Sequence, residues 1–242
     1  MSLCVKHMSK ENEICIFCQD RPATTRDHIP PKNLFPQPRP SNLITVPTCD
    51  GCNLGSSNDD EYFRLMIVMR DDAYEHPGAK ETWKTAYRGL KKHTKKGLAV
   101  KMLGDIKQVD AYSEDGKYLG QRSIFNIDYP RVEVILVKIV RGLFYSVMSR
   151  PLPKHYEVRV FVLEGFDDVF WKDEKLTKWV QIGIAQEPHI IGNNIFSYRY
   201  AFSTDDEFTS IWVMEFYGYY PVIAFTVLKK THNNLLSRTR GR

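Results

Sequence analysis

The sequence predicts an α+β fold: a small cysteine-stapled module over residues 13–60, then a larger α+β domain with a mostly antiparallel sheet over 61–230. Three observations carry this. Four of the five cysteines form two C-x-x-C pairs, Cys15/Cys18 and Cys49/Cys52, in a stretch rich in Pro, Asn, Asp and Thr that lacks the apolar pattern of an independent core. Apolar residues then recur at helical spacing through 57–92 and again through 130–148. Beyond about residue 156 the dominant period is two, as in half-buried strands. With 242 residues and 43% hydrophobic content, the chain is long enough to bury a sizeable core outside the stapled module.

The elements follow in order. A short strand is expected at 43–46, after a loop punctuated by Pro36, Pro38 and Pro40. Ser57, Asn58 or Asp59 caps a helix carrying Tyr62, Phe63, Met66, Ile67 and Met69. Pro77 opens a second helix over 77–92, with Trp83, Ala86, Tyr87 and Leu90 on one face. Segments 107–112 and 118–125 flank Glu114-Asp115-Gly116 and read as a hairpin. The helix over 130–148 is apolar on most sides (Val132, Ile135, Ile139, Val140, Leu143, Phe144, Val147), which makes it the central buried helix.

The last third reads as a strand at 156–163, a helix near 167–178, and strands at 179–185, 196–202, 211–217 and 222–228. Phe196, Tyr198, Tyr200 and Phe202 alternate with Ser197, Arg199 and Ala201. Such an aromatic stripe can stack on bases, but packing the core of a sheet is the commoner reason for one.

The formal charge of +5 is mildly basic and suits a polyanionic partner without establishing one. Arg88, Lys91, Lys92, Lys95 and Lys96 crowd one segment, and Lys229, Lys230, Arg238, Arg240 and Arg242 crowd a basic C-terminus whose last residues, 231–242, read as a flexible tail. These runs suit phosphate neutralisation and solvated helix ends equally. No run of eighteen apolar residues and no signal-like N-terminus occurs, so no membrane association and a cytoplasmic location are expected. In that reducing setting two C-x-x-C knuckles suit a structural zinc rather than disulfides, with Cys4 left over. A redox-active C-x-x-C would need a βαβ setting that neither pair has.

Between the cysteine pairs lie Thr24-Thr25-Arg26-Asp27-His28-Ile29-Pro30-Pro31 and then Ser41-Asn42-Leu43, and the second pair ends in Cys52-Asn53. The string C-x-x-C, D-H-I-x-P, N-L, C-x-x-C-N resembles the HNH endonucleases, the ββα-metal or His-Me finger nucleases, over about a fifth of the chain. The resemblance implies a zinc-stapled ββα module that hydrolyses phosphodiester bonds in DNA, with RNA open as a substrate. In it, His28 is the general base. Asp27 and Asn53 hold a catalytic Mg2+ or Mn2+ through oxygen ligands, separately from the zinc on Cys15, Cys18, Cys49 and Cys52. Asn42 ties down the loop and orients the histidine. Neighbouring strand residues face opposite sides, which lets Asp27 and His28 serve metal and water respectively.

The chain departs from the family pattern in three places. Ser56 stands where many members carry lysine, Ser57 where some carry a third, histidine ligand, and prolines replace the glycine-rich loop before Asn42-Leu43. Arg26 is placed to reach a substrate phosphate or to pair with Asp20 or Asp50. The rival expectation is a zinc-stapled nucleic-acid-binding or protein-interaction module without catalysis. The larger domain carries no motif of its own; recognition of a DNA structure or modification, homodimerisation, and binding of a partner that licenses cutting are all open to it.

Overall fold

The computed structural model describes residues 13–91, 96–163 and 172–229. The fold is mixed α+β, and every strand pair among the described residues is antiparallel. Strands β1 (Thr25–Ile29) and β2 (Ile44–Thr48) form a two-stranded ribbon followed by the short helix α1 (Asp50–Gly55). Next come α2 (Ser57–Val68), α3 (Pro77–Leu90) and α4 (Lys96–Gly104), then the hairpin of β3 (Lys107–Tyr112) and β4 (Tyr118–Ile124). The long helix α5 (Tyr129–Met148) leads into β5 (Tyr156–Val162), α6 (Glu174–Ile184), β6 (His189–Ile191), β7 (Phe196–Phe202), β8 (Ser210–Phe216) and β9 (Tyr220–Leu228). The last five strands form one sheet in the order β5-β9-β8-β7-β6.

Both faces of the central strands are covered, and the period of two sorts their side chains. Trp212, Met214 and Phe216 of β8 and Val222 and Ala224 of β9 join the main core, while Ile211 and Ile223 turn to the other face, beneath α6. On the main-core side, Phe63 of α2 meets Phe216 edge-on with ring centroids 5.2 Å apart. Phe144 of α5 lies against Phe202 and Phe208. The same core takes in Ile16, Ile29, Leu34 and Val46 of the cysteine-stapled region, so the apolar interior runs unbroken across residue 60. Gly142 makes this contact possible: a Cβ there would stand 2.4 Å from Ile29 Cγ1, so α5 lies directly on β1.

Two expectations need correction. Residues 179–184 are the C-terminal part of α6 and Ala185 is its C-cap, so 179–185 is not a strand. Asp173 caps that helix by accepting from the backbone N–H groups of Lys175 and Leu176. Val180 and Gly183 are buried, whereas Ile182 and Ile184 are half exposed, so burial follows the helical period. The first part of the expected helix, 167–171, lies outside the described residues. At the start of α2 the cap is Ser56, whose hydroxyl donates to the Asn53 carbonyl rather than accepting from the first turn, and Asp59 pairs with Arg131 at 2.6 Å. The stripe on β7 packs the core: Phe196 is fully buried and Tyr198 nearly so, with Tyr200 and Phe202 packed beside them. Lys92, Lys95 and the tail 231–242 lie outside the described residues.

Candidate functional site

The cysteines come from two turns. Cys15 and Cys18 sit in the turn before β1, and Cys49 and Cys52 flank the start of α1. The pairing of β1 with β2 brings the turns together, and Thr24 N–H donating to Thr48 O ties them beside the cluster. All four sulfurs lie within 4.8 Å of one another. Zinc held tetrahedrally by thiolates at about 2.3 Å requires sulfurs about 3.8 Å apart, and Cys18 Sγ is 3.9 Å from Cys49 Sγ. The four thiols are therefore close enough together to hold one zinc ion.

The surroundings favour the thiolate at Cys18 and Cys15 and oppose it at Cys52. At Cys18, the backbone N–H groups of Asp20 and Arg21 and the Arg21 guanidinium pull the thiol down to about 6. Burial raises Cys15, but donors from the Cys18 and Cys49 backbone and the Thr48 hydroxyl outweigh it. Cys52 is pushed up to about 12, first by burial and then by the sulfurs it shares the space with. Arg21 also donates to Cys52 Sγ at 3.7 Å, placing one positive charge beside the cluster.

The Asp27-His28 pair sits near the end of β1, opposite Val46 and Thr45 of β2. Alternation sends the two side chains to opposite faces of the ribbon. Asp27, 7% exposed, turns inward toward α5. Its Oδ1 accepts the backbone N–H of His28 at 2.8 Å, and its Oδ2 lies 2.7 Å from Lys138 Nζ. The Lys138 ammonium also donates to Ser56 Oγ at 2.5 Å and stands 3.6 Å from Asp60 Oδ1, which has no hydrogen-bond partner of its own. Burial pushes the Asp60 carboxyl up to about 6, against the pull of Lys138.

On the other face the His28 imidazole is partly buried, and its pKa is lowered chiefly by that burial and then by Lys32 and Arg39, against the pull of Asp27. Neutral imidazole is therefore the favoured form at pH 7. Arg39 donates to the Lys32 carbonyl, which keeps the two cationic residues together beside it.

Asn53 projects from α1 and donates its amide to Thr25 Oγ1 at 2.9 Å. Thr25 and Asp27 lie two residues apart on one face of β1, about 7 Å along the strand, so Asn53 and Asp27 share a side of the ribbon. Asn42 is exposed and donates to the Ile190 carbonyl at 3.1 Å, tying the loop before β2 to the edge strand β6. Arg26 pairs with neither Asp20 nor Asp50. It bonds Thr45 and lies 3.5 Å from Glu13, while Asp20 pairs with Lys154.

The residue that sequence reasoning missed is Lys138. Its signal was present: it falls three residues after Ile135 and five before Leu143, inside the buried stripe of α5, where a lysine needs an anionic partner.

No family model, curated protein or solved structure matches the chain.

Proposed function

We propose that the chain is a metal-dependent endonuclease of the HNH type acting on DNA, with a structural zinc on Cys15, Cys18, Cys49 and Cys52. One observation carries this reading. A ribbon-and-helix unit closed by four cysteines carries Asp27 on its inner face, His28 on its outer face beside Lys32 and Arg39, and Asn53 fastened to the same strand.

In this reading Asp27 and Asn53 hold a divalent cation. The buried Asp27 Oδ2, which accepts no hydrogen bond and is met by the Lys138 ammonium as an ion pair alone, is an oxygen suited to one. Such a cation, when bound there, would supply Lewis-acid stabilisation of the charge that grows on the phosphate and on the leaving oxygen. His28, kept neutral, accepts the proton of the attacking water. Lys32, Arg39 and Arg26 line the approach and attract the phosphate backbone. Asn42 acts on this site through the loop it ties to β6.

The test is incubation of zinc-loaded protein with supercoiled plasmid. Added Mg2+ or Mn2+ should produce nicked or linear forms carrying 5′ phosphates, and omission of the added metal should prevent it. Intact plasmid with both metals, from protein shown to be folded and zinc-loaded, would contradict the proposal.

A second reading has its own observation. Both Asp27 oxygens are engaged, one by the His28 backbone and one by Lys138, as in a structural ion pair. On that ground the unit is a zinc-stapled module that binds nucleic acid through Arg26, Lys32 and Arg39 without cutting it. Duplex binding without cleavage in the same assay would select it.

A further inference from the structure

We propose that Lys138 is a resident counter-cation which a divalent metal must displace from Asp27, so that helix α5 governs metal occupancy of the site. The inference rests on the nuclease reading for the role of Asp27 and adds a residue that reading does not require.

Lys138 and Asp27 are both almost wholly buried, with side chains 8% and 9% exposed, and their charged atoms are 2.7 Å apart. A group with three donors and no acceptor fits this pocket: its charge stands 2.7 Å from Asp27 Oδ2 and 3.6 Å from Asp60 Oδ1, and one N–H serves Ser56 Oγ. With Asp27 and Asp60 ionised the pocket holds two negative charges against one positive, so a cation of higher charge is the better electrostatic match. Such a cation cannot share Asp27 Oδ2 with an ammonium 2.7 Å away, because repulsion between the two is strong in a buried setting. The two occupants therefore exclude each other.

Lys138 can leave without movement of α5. Its stem is long and flexible, and the Phe17 ring, with its centroid 5.9 Å from Nζ, offers the withdrawn ammonium an aromatic face. Seven residues earlier on the same helix, Arg131 holds Asp59 at 2.6 Å and its guanidinium lies over Tyr62, so the backbone of α5 stays fixed against α2 while the side chain moves.

The experiment uses the full chain with its cysteine site saturated with zinc, and Mn2+ alone as the probe, followed by the electron paramagnetic resonance of free Mn2+. The wild type should bind weakly. Lys138→Gln, which keeps a donor near Asp27 and removes the charge, should bind at least tenfold more tightly, and adding Asp27→Asn to it should abolish the gain. If Lys138→Gln does not fold alone, Mn2+ should restore its fold, read by near-ultraviolet circular dichroism; failure to do so overturns the proposal. Equal Mn2+ affinity in wild type and Lys138→Gln overturns the displacement mechanism and leaves the nuclease reading standing. If neither protein binds Mn2+, with or without a duplex oligonucleotide, both are overturned.

Discussion

Replacing Lys138 by methionine removes the ammonium and keeps nearly the whole apolar stem, so the change isolates a charge inside a packed core. The space stays filled, and cavity formation adds little. What remains is Asp27, 7% exposed, beside Asp60 with its unpartnered Oδ1, and nothing positive between them. Breaking a buried ion pair from one side costs about 3–5 kcal/mol, because the surviving charge keeps its desolvation penalty. Asp60 can relieve part of this by taking up a proton, since burial already pushes its carboxyl up to about 6. The expected loss is therefore near the lower end, about 3 kcal/mol, or a fall in Tm of about 6–12 °C for a chain of this size. Urea denaturation of the zinc-saturated protein, followed by tryptophan fluorescence, reads it directly. Lys138→Met combined with Asp27→Asn should recover a substantial part of the loss, since the orphaned charge is then gone. A Lys138→Met protein within about 0.5 kcal/mol of wild type would refute the account of Lys138 as the counter-charge of this core.

Three further outcomes follow from the same geometry. Gly142→Ala places a Cβ against the fully buried Ile29; overpacking of about 1–3 kcal/mol, set against about 1 kcal/mol gained in helix propensity, leaves a net loss of up to about 2 kcal/mol in the same denaturation, whereas a gain in stability would contradict the direct contact of α5 with β1. Elemental analysis should find one zinc per chain, and Cys18→Ser with Cys52→Ser should lose it together with part of the thermal stability; a metal-free wild type of unchanged stability would count against a zinc staple. For cleavage, burial and the Lys32 and Arg39 charges hold His28 below its ordinary pKa of about 6.5, so the base stays unprotonated further into acid than a free imidazole. The acid limb of kcat/KM should then fall below pH 6.5, and Lys32→Ala with Arg39→Ala should move it upward; an acid limb above 6.5 in the wild type would contradict this environment for His28.

Much of this was legible in the sequence, for identifiable reasons. β7 ends where its alternation of Phe196, Tyr198, Tyr200 and Phe202 ends, because one face of that strand packs against the core. The helix expected at 130–148 begins one residue earlier, at Tyr129, its start marked by Pro130 in the first turn. The cysteine spacing foretold a cluster because each C-x-x-C forms its own tight turn, which leaves the strand pairing only to bring the turns together. Residues 179–185 misled because Val180, Ile182 and Ile184 imitate a strand, and only the sheet beneath shows that Val180 and Gly183 are the inward positions. β6 is three residues long, too short to show a period. The partnership of Lys138 with Asp27 spans 111 positions between residues that no local pattern connects, so it became visible only once α5 lay across β1.

We propose that His28 activates water for phosphodiester cleavage. The most direct measurement compares single-turnover cleavage by wild type and His28→Ala, both zinc-loaded and matched in thermal stability, in saturating Mn2+. His28→Ala should lose about 10²–10⁴-fold, the usual contribution of a positioned general base. Equal rates in the two folded proteins would contradict it.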